Sequence, residues 1–185
     1  ILIVKKIILI MIEINLYFIV SQILVFFALI FDFVGMQFKA RKKIILFLGI
    51  SASLISAHYF FLGKIAAGII IIISLVRYIT CYFTTNKKYL YLFILLSTLT
   101  LIFTYRETFD LIIYFGILII IVGNFQSEEK KLRKIMMVGT STLIIYNIII
   151  FSPMGAIVEG SLLISNIIGY YRHHYKIKEK IKLKT

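Results

Sequence analysis

The chain has 185 residues, 61% of them hydrophobic and 16% charged, and carries a formal net charge of +13. Soluble domains are typically about 45–50% apolar and about 25% charged, and a soluble core of this length has no room for so many Ile, Leu and Phe side chains. One Pro, ten Gly and one Cys exclude collagen-like, disordered and disulfide-rich classes, and Cys81 has no second cysteine with which to form a bridge or a thiolate metal site. Lipid is the solvent that fits.

A helix crosses the hydrocarbon core with about 20 residues, within a range of about 17–25. Apolar runs of that size fall at 16–36, 44–62, 65–83, 89–105, 109–125, 135–151 and 155–171. They predict seven spans in an all-α, polytopic membrane helix bundle. Residues 1–15 form an N-terminal segment whose first methionine is Met11. A native start at Met11 would remove Lys5 and Lys6. No small-residue cleavage site marks a signal peptide, so span one is expected to act as its own insertion signal. Short polar breaks separate the spans, and Pro153 with Gly155 supports the last of them.

Seven spans place alternate breaks on alternate sides. One side receives Lys39, Arg41, Lys42 and Lys43, then Lys87 and Lys88, then Lys130, Lys131, Arg133 and Lys134. It also receives the tail 172–185, with Arg172, Lys176, Lys178, Lys180, Lys182 and Lys184. The other side receives Lys64 and Arg106, plus Lys5 and Lys6 if present. Positive charge concentrates on the cytoplasmic side, which puts the N-terminus outside and the C-terminus in the cytoplasm. The clusters sit between apolar runs rather than on one folded face, which argues against nucleic acid. The tail either lies on anionic lipid or is a solvated topogenic charge.

Residues 41–78 align without gaps on 133–170, at an offset of 92. Arg41-Lys42 falls on Arg133-Lys134, Gly63 on Gly155, Gly68 on Gly160, Tyr78 on Tyr170 and Ser74 on Asn166. Gly35 and Gly123 extend the match at an offset of 88. The expected organisation is therefore a first three-helix repeat over 16–83, a linker helix over 84–108 and a second repeat over 109–171. The extra span makes the two repeats parallel, a plan known in transporters. Gly63, Gly68, Gly155 and Gly160 then read as tight turns followed by close helix packing.

Several short motifs resemble one family. They are Ser21-Gln22, Gln37-Phe38-Lys39-Ala40-Arg41-Lys42, His58-Tyr59-Phe60-Phe61-Leu62-Gly63 and Arg77, with Arg133-Lys134 and Tyr146-Asn147 in the second copy. Together they resemble the YgjV family of bacterial inner-membrane proteins over nearly all of the chain after Met11. The resemblance implies a bacterial cytoplasmic membrane and carries no activity over. A more distant similarity to SWEET and PQ-loop transporters is one of topology alone. The chain has no Pro-Gln pair and its one proline is Pro153.

Ionisable residues inside a span are functional suspects. Asp32 and Arg77 each lie seven residues before a cytoplasmic break, about 10 Å deep. They are expected to form an intramembrane charge pair, for insertion or for function. His58 and Glu159 fall near the outer face, as a proton relay or as two interfacial residues. Asn147 and Asn166 fall near the midplane, roughly 12–16 Å from the outer edge. With Ser74 they offer donors and acceptors to a neutral polar solute, or helix–helix hydrogen bonds.

No HExxH, phosphate loop or paired-acid motif occurs, so neither an enzyme nor a cofactor or metal is expected. The leading expectation is a facilitator or transporter of a small polar solute, with a site between the repeats. The alternative is a non-transporting membrane scaffold or assembly partner.

Overall fold

The computed structural model describes residues 2–63, 65–105, 108–149, 151 and 153–175. Lys64, Arg106 and the tail lysines from Lys176 to Lys184 lie outside the described residues, as do the side chains of Lys5 and Lys6. Seven helices follow in order: α1 (Leu2–Gly35), α2 (Arg41–Phe61), α3 (Ile65–Phe83), α4 (Lys87–Thr104), α5 (Asp110–Asn124), α6 (Glu129–Ile149) and α7 (Pro153–His174). Among the described residues there is no strand. The all-helical expectation holds.

These Ile-rich segments would favour strands in water, but in lipid only helices satisfy every backbone group within one segment. Among the described residues, three stretches are long and apolar enough to cross a membrane: Leu16–Gly35, Arg41–Phe61 and Glu129–Ile149. Gly68–Phe83 and Asp110–Asn124 are shorter apolar helices. Helix α1 begins well before the expected boundary at residue 16. The ends are set locally. The Asn86 side chain caps α4 by accepting from the Lys88 backbone N–H at 2.9 Å, and Gly63, at φ 67°, turns the chain after α2.

Helices next to one another in the chain pack together: α1 on α2, α2 on α3, α5 on α6 and α6 on α7, with α4 on α5. One further contact closes the bundle, α1 against α7. Ser165 on α7 donates its Oγ hydrogen to the Phe33 carbonyl at 2.6 Å. Four residues on, Gly169 lies against the Met36 carbonyl. Numbers rise together on both helices, so α1 and α7 run parallel.

The buried core is concentrated at one end. Met36, Ile44, Ile45, Leu48, Cys81, Phe93, Ile121, Phe125, Leu132 and Met136 make it up, and all lie near the α1–α2, α3–α4 and α5–α6 connections. Elsewhere large apolar side chains face outward, Phe83, Phe103 and Phe151 among the most exposed. That is a lipid-facing surface.

Two glycines separate close packing from open space. A Cβ on Gly169 would sit 2.2 Å from the Met36 carbonyl oxygen and 2.5 Å from Arg133 Nη1. Gly160, expected to pack closely, has nothing within 4 Å of that position. Gly169→Val is therefore expected to destabilise the bundle by about 1–3 kcal/mol through overpacking. Gly160→Ala is expected to be neutral or stabilising by up to about 1 kcal/mol through helix propensity. Thermal unfolding followed by circular dichroism in detergent distinguishes the two; equal effects would contradict the packing described.

Candidate functional site

Helix C-termini leave carbonyls without intrahelical donors, and inside a bundle water cannot supply them. Arg133, at the start of the second turn of α6, has a side chain with no exposed surface. Its Nη1 donates to the Met36 carbonyl at 2.7 Å and to Asn166 Oδ1 at 3.3 Å, and its Nη2 donates to the Phe38 carbonyl. Its Nε donates to Glu129 Oε1 one turn back, as an ion pair. Asn166 returns its Nδ2 hydrogen to the Arg133 carbonyl at 3.0 Å. Every nitrogen of this guanidinium is occupied. Being cationic, it also suits the negative end of the α1 dipole.

Arg41 repeats the act on the other half of the chain. From the start of α2, its Nη2 donates to the Asn124 carbonyl at 2.7 Å and its Nε donates to the Gln126 carbonyl, both at the end of α5. Around the two arginines lies a wider network. Gln37 Nε2 donates to Ser165 Oγ at 2.6 Å, Arg172 Nη2 donates to Gln37 Oε1 at 2.7 Å, and His174 Nε2 lies 2.7 Å from Glu129 Oε2. The ends of α1, α2, α5, α6 and α7 are thus tied together on one face. Asn124 contributes only its backbone; its buried side-chain amide has no hydrogen-bond partner.

Away from this face, a cavity of about 320 Å³ opens among α3, α4, α5 and α6. Its polar lining comprises Ser74, Arg77, Ser97, Thr100, Asp110, Tyr114 and Tyr146. Thr98 Oγ1 lies 2.8 Å from Tyr114 Oη and fixes that ring across the α4–α5 contact. Phe93, a core residue, also lines it. At the other end, Thr100, Leu101, Asp110 and Tyr146 sit near the helix ends opposite the arginine network. A cavity of about 380 Å³ between α2 and α3 is lined almost wholly by apolar groups, so it offers little to orient a polar molecule.

The structure distributes the expected site residues among five places. Ser74 and Arg77 line the inter-half cavity. Asp32 lies beside Ser51 and close to the Glu159 carboxylate. Among the described residues it forms no ion pair with Arg77; both approach Tyr78, whose ring centroid is 5.2 Å from the Arg77 guanidinium. His58 and Glu159 are not brought together. The His58 Nδ1 lies 2.8 Å from the Ser21 carbonyl on α1, whereas the parallel docking of α7 carries Glu159 towards Asp32. The two amides also part company. Asn147 donates to the Leu143 carbonyl of its own helix at 2.9 Å, while Asn166 is held by Arg133; neither lines the cavity.

The sequence marks Arg41 and Arg133 as topogenic charges and as repeat and family motif residues, and does not single out Glu129, Ser165 or Gly169. The Arg-Lys pair at one offset and the glycine pair at another were the available signal. Read together, they join arginines to the helix ends they reach.

The family model Imp-YgjV, described as bacterial inner membrane protein, matches residues 19–177. The chain belongs to this family. No curated protein and no solved structure matches it.

Removing one partner of a buried ion pair is costly because the rest stays buried without it. Arg133→Gln is expected to lower stability by about 3–5 kcal/mol, leaving two carbonyls unmatched and Glu129 with His174 but without its guanidinium. Arg41 is only partly buried, so Arg41→Gln is expected to cost about 1–3 kcal/mol. Thermal unfolding of the two variants side by side checks the order; a milder effect at Arg133 would count against the network.

Proposed function

We propose that the protein is a facilitator or transporter of a small polar solute, whose site is the cavity among α3, α4, α5 and α6. The carrying observation is the pairing of that cavity with the arginine network at the opposite end. One end of the bundle is cross-tied by charge-assisted hydrogen bonds, and the lining of a polar cavity reaches the helix ends opposite it. A solute binding there would reach the second side only when the tied end loosens, as alternating access requires.

The two arginines also support a repeat of the form 3+1+3 around α4. Arg41 and Arg133 differ by 92 positions, the offset of the aligned segments. Their acceptors, Asn124 and Gln126 against Met36 and Phe38, differ by 88, the offset of the glycine pair. Each copy thus caps its sister at equivalent carbonyls, as a two-fold relation would demand. Parallel packing of α1 and α7 supports an even number of reversals between them, as seven crossings would give. With the basic connections Lys39–Lys43, Lys87–Lys88 and Lys130–Lys134 on the tied face, that face is cytoplasmic and the cavity opens outward.

A membrane scaffold is the second reading, and one observation favours it: Asn147 and Asn166 are satisfied by protein groups. Uptake into proteoliposomes separates the two. Wild type is screened with sugars, polyols, amino acids and small organic acids against Ser97→Trp, whose indole fills the cavity. The transporter reading expects uptake by wild type and at least about a tenfold loss in the folded variant, the equivalent of about 1.4 kcal/mol. Wild-type protein that folds and moves no solute would favour the scaffold.

A further inference from the structure

A buried arginine is expensive unless its charge and its donors are both matched. Arg133 meets that condition in full. Arg77, only 7% exposed, does not: its Nε has no hydrogen-bond partner, and it forms no ion pair among the described residues. Its guanidinium lies against Tyr78, over the ring and within hydrogen-bonding reach of the hydroxyl, a weak substitute for a counter-charge. The same residue lines the cavity.

We propose that the cavity binds a small oxyanion, a carboxylate or a phosphate, held by the Arg77 guanidinium. The inference rests on the transport reading above and names its substrate class. Three residues before Arg77, Ser74 lies on the same face of α3, one turn away, and Ser97 lines the cavity from α4. A planar guanidinium presents paired donors that match the two oxygens of a carboxylate or phosphate. Hydroxyl donors beside it complete such a shell. The carboxylate of Asp110 lines the cavity from the first turn of α5, well away along the bundle from Arg77, which lies twelve residues into α3. A solute with one anionic group therefore keeps that group at the Arg77 end. The oxyanion repays the desolvation of a charge that the protein leaves unmatched.

The test uses the full chain in phosphatidylcholine nanodiscs at low ionic strength, with thermal unfolding as the readout. Sodium acetate and inorganic phosphate are titrated against sodium chloride of equal ionic strength. At least one is expected to raise the wild-type Tm by about 3 °C or more in a saturable way. Arg77→Lys is expected to retain a smaller shift, and Arg77→Gln and Ser97→Trp are expected to lose it. Replacing part of the lipid by phosphatidylglycerol tests the other source of the same chemistry; a shift there that needs Arg77 assigns the oxyanion to a lipid headgroup. Absence of any shift in wild type, or the same shift in Arg77→Gln, overturns the proposal. Should Arg77→Gln fail to fold, an undiminished shift in Ser97→Trp overturns it instead. Parallel loss of folding in Arg77→Gln and Asp32→Asn would also overturn it, in favour of a structural charge pair. Oxyanion binding without uptake in proteoliposomes keeps the site and removes transport. Uptake of neutral solutes, indifferent to Arg77→Gln and without an oxyanion shift, keeps transport and removes the site.

Discussion

A guanidinium with no contact to solvent has to find every partner within the protein, and the way α1, α6 and α7 meet follows from how Arg133 does so. Its donors reach the end of α1 and the side chain of Asn166 on α7, while Glu129 on its own helix supplies the counter-charge. Gly169 lets α7 approach closely enough for this, because any Cβ there would occupy the space of Met36 O and Arg133 Nη1. Lipid supplies no hydrophobic force between helices, so the association rests on packing and polar contacts of this kind. The network is a cross-brace where a soluble protein would have used a dry core.

That brace explains why the buried core lies at one end. Met36, Leu132 and Met136 cluster beside the arginines, where helix ends are drawn together by hydrogen bonds to backbone. Further along, Thr98 and Tyr114 tie α4 to α5, and the cavity among α3, α4, α5 and α6 lies beside that tie. Packing density and polar cross-linking are thus two aspects of one constraint.

Much of the fold was legible in the sequence because lipid makes hydropathy decisive. Breaks such as Thr84 to Lys88 predicted connections close to where they occur, and Asn86 is the cap that fixes one of them. Rotation about a helix axis was not legible. Asn166 reads as a midplane amide until α7 is seen to turn it to Arg133, and His58 pairs with a backbone carbonyl on α1 that no side-chain pattern announces. Ser74 and Arg77 were singled out for different reasons and turn out to share a cavity. Depth follows from counting residues; facing requires the neighbours.

The two deeply buried arginines show how burial alone misleads. Both are buried, yet Arg133 has a partner for each nitrogen and Arg77 leaves one unpartnered beside a cavity. A fully matched charge is rigid, since moving it would break several short bonds at once. An incompletely matched charge costs the folded protein stability and is retained where something outside the chain completes it. On the proposed reading, a structural and a ligand-holding arginine are separated by their hydrogen-bond inventory rather than by their depth.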